Sequence, residues 1–252
     1  MRTCKKVSFV PINATLERNI SLPKYGYFDF NAFNLLKCKV THTFANFLTV
    51  DKKMQLEQKY EAIIDQILTS HYGVLDDFLS SSILDGLRAS FSERKEADAF
   101  RKAGISKNQA VVEKIRGDEI FWLNEENATE AENHFLTAVR DFSNYLNRTC
   151  YLGITNHEFH YASYPVGTFY KRHLDRFQSD SSRKLSLICY LNEDWKTEDG
   201  GQLRLYLADN ELDILPIGGR IVVFESDKIE HEVLPATRER RSVTGWLRGN
   251  ER

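Results

Sequence analysis

The 252-residue sequence is short of the features that would place a chain in a membrane, outside a cell or on nucleic acid. No run approaches the roughly 18 consecutive apolar residues that a bilayer-spanning helix requires. The opening MRTCKKVSFVPINATLERN has basic residues but lacks the apolar stretch of about 7–15 residues of a secretory signal. Neither sign of charge dominates. Lys and Arg number 34 against 36 Asp and Glu, and the net charge of −2 leaves no footprint for general nucleic-acid binding. Cysteine is scarce too. Cys4, Cys38, Cys150 and Cys189 contain no CxxC pair for zinc or redox chemistry and are too few for a disulfide scaffold. They read as buried or incidental thiols in a reducing, cytoplasmic compartment.

What is present is ordinary for a globular protein with a substantial core: 42% of residues are hydrophobic and 28% charged. The length fits one or two domains. Residues 1–50, rich in Phe, Tyr and Asn and free of repeats, read as an N-terminal extension of unknown role. Beyond it, Leu56, Tyr60, Ile63, Ile64, Ile67 and Leu68 recur at helical spacing. A second helical stretch is predicted after Gly73, with Leu75, Phe78, Leu79, Ile83, Leu87 and Phe91 on one face. The pattern then dissolves into RKAGISKNQAVVEK from residue 101, a polar segment of the kind that forms lids. Thr129 and Glu132 make a capping box that opens a third helix, lined by Phe135, Val139, Phe142 and Leu146. After residue 150 the character changes. Short β-branched and aromatic segments (HEFHYASY, LSLICYL, QLRLYL, RIVVF, SVTGWL) alternate with Gly, Asp, Asn and Pro turns. The pattern predicts an α+β domain over 51–252, with a helical part at 51–150 buttressing a jelly-roll core at 151–248.

Three elements of the β-region carry chemistry. In His173-Leu174-Asp175 the imidazole and carboxylate fall on one side of a strand and can meet one cation. His231, in HEVLP, adds a second imidazole. Two histidines and one carboxylate on one face of a metal leave open positions, which is the facial triad of non-haem Fe(II) oxygenases. Arg240, in RERRSVTGW, is suited to a bidentate hold on a co-substrate carboxylate. Each element alone is weak. Their combination in order within one predicted jelly roll is far more specific.

These residues reach a family. The segments RGDEIFW (116–122), YPVGTFYKRHLDRF (164–177), CYLNEDWKTEDGGQLRLY (189–206) and HEVLPATRERRSVTGW (231–246) closely resemble the prolyl hydroxylase domain family, which contains the hypoxia-inducible-factor prolyl hydroxylases and their bacterial relatives. The wording is most similar to the bacterial branch, and the resemblance runs over roughly residues 70–248. It implies a double-stranded β-helix, and dependence on Fe(II), 2-oxoglutarate and O2, with ascorbate as a further candidate ligand. Carried over by motif, His173, Asp175 and His231 would bind iron. Arg240 would pair with the distal carboxylate of 2-oxoglutarate, hydrogen-bonded also by Tyr190. Arg241 is the rival for that pairing, although an alternating strand places Arg240, Ser242, Thr244 and Trp246 on one face. Tyr170 and Thr244 would line the co-substrate pocket. Trp122 and Trp246 would lie toward the substrate, with Asp118 of the RGD triplet paired to Arg183. No residue beyond the metal and co-substrate ligands is needed as a general base or nucleophile.

The resemblance therefore implies hydroxylation of a prolyl residue in a protein, with release of succinate and CO2. The bacterial relatives make elongation factor Tu, a translation factor, the first candidate substrate. No nucleic-acid or membrane partner is expected, and a monomer is favoured. Two other readings stay open: a hydroxylase of a small molecule on the same fold, and a catalytically silent jelly-roll binding or sensor module.

Overall fold

A computed structural model describes residues 51, 53–104, 115–176 and 182–250. Residues 1–50, and 105–114 of the segment read as a lid, lie outside the described residues. The chain divides into two compact units, Met1–Gln58 and Lys59–Arg252, and both sheets belong to the second.

The large sheet carries, in spatial order, β1 (Tyr72–Leu75), β9 (Ile221–Glu225), β6 (Arg183–Tyr190), β11 (Arg240–Gly249), β4 (Ile154–Tyr164), β3 (Glu119–Trp122) and β2 (Arg101–Lys102). The small sheet carries β5 (Tyr170–His173), β10 (Glu230–Val233), β7 (Leu203–Tyr206) and β8 (Glu211–Ile214). All pairings are antiparallel. From β4 to β7, and again from β8 to β11, the chain alternates between the two sheets, which makes the predicted jelly roll a double-stranded β-helix.

Helix α1 spans 53–70, α2 Ser81–Glu96 and α3 Glu130–Cys150; α2 and α3 cover the outer face of the large sheet, and Tyr60 of α1 packs on Phe142 and Tyr145 of α3. The predicted capping box is formed: Thr129 Oγ1 accepts from the Glu132 N–H at 3.3 Å, and Glu132 Oε2 accepts from the Thr129 N–H at 2.8 Å. Phe135, Val139, Phe142 and Leu146 are buried as expected, as are Tyr60, Ile63 and Ile64 of α1. Leu68 is not. It is 62% exposed, beyond the end of the buried stripe.

Strand β4 shows how the sheet divides its two sides. Phe159 packs edge-on against Phe135 of α3 at 5.2 Å between ring centroids, and Tyr161 against Phe91 of α2 at 5.4 Å. Their neighbours Glu158, His160, Ala162 and Tyr164 point the other way, as the period of two requires, and line a cavity between the sheets. Tyr164, Ile188, Leu203, Leu205, Phe224 and Val233 join the sheets in one apolar core beneath it. Gly245 of β11 permits the close approach to β4: a Cβ there would lie 2.1 Å from the Glu158 carbonyl oxygen and 2.4 Å from the Phe159 ring.

Two local expectations are corrected. The stretch after Gly73 is not helical at its start, because Tyr72–Leu75 pairs with β9 as an edge strand. Its outer edge is satisfied by Gln66, whose Oε1 accepts from the Val74 N–H at 3.0 Å and whose Nε2 donates to the Val74 carbonyl at 3.2 Å. The helix begins only at Ser81, after the Ser80 cap. Likewise Arg101 and Lys102, read as the start of a polar linker, pair with Ile120 and Glu119.

Candidate active site

His173 ends β5 and His231 lies opposite it on β10, so the small sheet's own register brings the two imidazoles together. Their ring centroids are 4.2 Å apart. Asp175 follows two residues after His173, and its Oδ1 and Oδ2 lie 3.5 Å from His173 Nε2 and 3.7 Å from His231 Nε2. One ligand atom from each of the three lies within 4.8 Å of the others, as one cation would need.

The surroundings prepare these atoms for a metal. His173 Nδ1 bonds the Lys171 carbonyl at 2.7 Å and His231 Nδ1 the Ile229 carbonyl at 3.2 Å, which leaves both Nε2 lone pairs for a metal. Burial lowers the His231 imidazolium to about 4, an effect the neighbouring His173 adds to, so the ring is neutral at physiological pH. For Asp175 burial alone would raise the carboxyl. The two imidazoles and the Ser186 hydroxyl outweigh it and hold the carboxylate well below its usual range. Ser186 donates to Asp175 Oδ2 at 2.6 Å, and Arg183 Nη1 donates to the Asp175 carbonyl at 2.9 Å. Two imidazoles with their Nε2 atoms free and a carboxylate between them are the donor set that suits Fe(II).

The cavity above the triad has a volume of about 720 Å³. Arg240 points into it and is only 1% exposed. Its Nε donates to the Gly201 carbonyl at 2.8 Å, while its Nη2 is buried with no hydrogen-bond partner. The guanidinium carbon lies 5.0 Å from the Tyr190 ring centroid and 5.1 Å from that of Tyr164. The Tyr190 hydroxyl is likewise buried and unpartnered. A buried guanidinium N–H and a buried phenol are thus left unpaired near one another, and a single carboxylate could satisfy both. Arg241 is turned away, bonded to Glu239 at 2.6 Å with its guanidinium over the Phe91 ring. Thr244 lines the cavity and shares a 3.1 Å hydroxyl contact with Ser242. Tyr170 stacks on His173 with centroids 3.6 Å apart, beneath Arg116, and burial pushes its phenol up to about 12.

At the cavity mouth Trp122 is 46% exposed and lies 6.4 Å from Trp246. Arg183 covers Trp246 at 3.4 Å and pairs with Glu158 at 2.9 Å. The expected Asp118–Arg183 pair is not made, and Asp118 is not a lining residue. Arg116, two residues earlier in the same triplet, grips Asp118 bidentately at 2.7 and 2.6 Å and leaves it 2% exposed. Its short reach makes the local pair the better geometry, and Arg116 rather than Asp118 faces the cavity. Sequence reasoning missed Ser186, Glu158 and His160. Each sits directly across the large sheet from a singled-out residue: Glu158 and Ser186 flank Trp246, and His160 lies between Trp122 and Thr244.

Residues 159–248 match the profile of the 2OG-Fe(II) oxygenase superfamily. Among solved structures, a prolyl-4-hydroxylase from Pseudomonas putida shares 39% identity with a TM-score of 0.69, over 76% of this chain and 100% of that one. A prolyl hydroxylase from Trichoplax adhaerens, seen with a peptide fragment of the hypoxia-inducible-factor oxygen degradation domain, shares 29% identity and a TM-score of 0.73. That match covers 78% of this chain and 92% of the other. A Phytophthora capsici prolyl 4-hydroxylase, at 24% identity and a TM-score of 0.64 over 78% of this chain and 65% of that one, shares the fold. The chain belongs to the 2OG-Fe(II) oxygenase superfamily and is a 2-oxoglutarate-dependent dioxygenase of the prolyl hydroxylase type.

Proposed function

We propose that this dioxygenase hydroxylates a prolyl residue within a protein, with elongation factor Tu as the first candidate. The observation that carries the reading is the cavity. Its inner end has an unpaired buried guanidinium, its floor a His-Asp-His cluster, and its mouth a half-exposed indole at Trp122. A small molecule enclosed at the metal would have no use for that open, aromatic rim, whereas an extended polypeptide crossing the mouth would cover it.

His173, Asp175 and His231 would hold the iron, and Arg240 with Tyr190 the distal carboxylate of 2-oxoglutarate. Thr244 and Tyr170 would flank the co-substrate, while Trp122, Trp246 and Arg183 would face the polypeptide. Bound Fe(II) and 2-oxoglutarate supply the oxidation, in which O2 gives one oxygen atom to the substrate and one to the succinate formed with CO2. The chain's own work is to position and to exclude. Arg240 and Tyr190 fix the far end of the co-substrate, Ser186 orients Asp175, and Tyr170 keeps its proton beside His173. A reducing cytoplasm suits such a site, with ascorbate as a supporting reductant.

The test is intact-mass screening of candidate proteins and proline-containing peptides, elongation factor Tu first. A gain of one oxygen atom on a proline, dependent on both Fe(II) and 2-oxoglutarate, is the expected result. Oxygen transfer to free amino acids or other small molecules alone would overturn the polypeptide reading.

A further inference from the structure

His160 is a titratable side chain in the cavity wall for which neither the metal cluster nor the carboxylate end has a use. It sits on β4 directly across from Trp122 of β3 and Thr244 of β11. Its ring lies 4.7 Å from the Trp122 ring and 5.6 Å from that of Trp246, at 3% exposure. Unlike His173 and His231, it has no carbonyl holding its Nδ1, which is buried with no hydrogen-bond partner. Nε2 is the nitrogen left to face the cavity.

Burial lowers the His160 imidazolium to about 4, so the ring is neutral and carries a single proton. On Nδ1 that proton would be a stranded buried donor, an arrangement rarer in folded proteins than an unfilled lone pair. It therefore belongs on Nε2, and His160 presents one N–H donor to the cavity between two indoles.

We propose that His160 positions the substrate by donating a hydrogen bond from Nε2–H to a main-chain carbonyl oxygen of a polypeptide crossing the mouth between Trp122 and Trp246. The inference rests on the protein-substrate reading above. Two physical points favour a peptide carbonyl over a carboxylate. Thr244, beside His160, lies four residues from Arg240 on β11, about 13 Å along the strand, which sets His160 away from the distal carboxylate that Arg240 would hold. A neutral donor set between two indoles also suits a neutral acceptor. A chain around proline is rich in acceptors and poor in donors, because proline has no N–H, so an enzyme donor meets the partner such a segment can offer.

The full chain, loaded with Fe(II) and 2-oxoglutarate, is tested as wild type, His160→Phe and His160→Gln against a tryptic digest of total bacterial protein. Oxygen gain on proline is followed peptide by peptide, and the fastest peptide is resynthesised to separate KM from kcat. Phe keeps the ring without the donor, and Gln restores an N–H. The expected result is a KM raised about tenfold in His160→Phe, as for loss of one hydrogen bond, with kcat changed much less and most of the loss recovered in His160→Gln. The half-saturating 2-oxoglutarate concentration should stay within about twofold. Ring ¹⁵N shifts of the wild type should place the proton on Nε2. An unchanged KM in His160→Phe, a shift confined to 2-oxoglutarate, no difference between Phe and Gln, or a proton on Nδ1 would each overturn the role of His160 and leave the protein-substrate reading standing. A digest that wild type never hydroxylates would bring down both.

Discussion

Ser186 donates its hydroxyl to Asp175 Oδ2 and also contacts the Ser226 hydroxyl at 2.9 Å, so the carboxylate is held from behind as well as by its two histidines. Partners of this kind are worth about 10–100-fold in metal affinity or activity. Ser186→Ala is expected to raise the Fe(II) concentration for half-maximal turnover within that range, measured by iron titration of succinate release. If Asp175 is one of three iron ligands, Asp175→Ala should abolish turnover; near-normal succinate production would remove it from the proposed iron site. At the other end of the cavity, Arg240→Ala should weaken 2-oxoglutarate binding by about 2–5 kcal/mol, roughly 30- to several-thousand-fold. Arg241→Ala should change it little, since that side chain is spent on Glu239. Calorimetric titration of both variants decides, and exchanged effects would assign the carboxylate to Arg241. That His173, Asp175 and His231 cluster and that Arg240 faces the cavity was legible because HxD at a strand end and an alternating RERRSVTGW impose their own geometry. Asp118 was not: the family resemblance points to Arg183, whereas the partner it takes is Arg116, two residues before it.

Helix α3 was readable to its first residue because a capping box is a local device whose two hydrogen bonds span four positions. Thr129→Ala should therefore cost about 1 kcal/mol of stability, read as a shift in the denaturant midpoint without a change in slope. Strand β1 was misread for the opposite reason: four residues carry too little pattern to separate strand from helix, and the pairing that decides lies on β9. The same non-local logic governs Gly245, which looks like an interruption of a strand but is the point where β11 and the Phe159 ring meet. Gly245→Ala should destabilise the domain by more than Thr129→Ala, because a methyl group 2.1 Å from a backbone oxygen forces the central strand pair apart. Parallel urea melts of the two variants rank them.

Across the molecule the helical layer and the sheet sandwich seal one another, and Cys189 reports on that seal. It lies fully buried on β6, and burial pushes its thiol up to about 12. Only the thiolate is nucleophilic, so in the folded protein Cys189 should resist iodoacetamide from neutral pH to about 9, whereas an unfolded thiol titrates near 8.5. A thiol whose ionisation is suppressed by folding adds stability below about 8.5 that is lost as pH rises toward 12. Mass-resolved alkylation across increasing urea should show Cys189 labelled only within the unfolding transition.

Phe159 and Tyr161 answer to the helices while Glu158, His160, Ala162 and Tyr164 answer to the cavity, so β4 holds two separable sets of positions on one strand. Substitutions at Glu158 and His160, which unlike Ala162 and Tyr164 lie outside the apolar core, can redraw what the enzyme accepts without loosening the helical layer, which leaves substrate range and thermal tolerance free to drift apart in descendants. A one-residue insertion or deletion ahead of them has no such freedom, because it exchanges the sets, driving two aromatic rings into the cavity and cavity-facing side chains such as His160 against the helices. Lineages of this enzyme should thus diversify at these even-numbered positions while the length of β4 stays fixed.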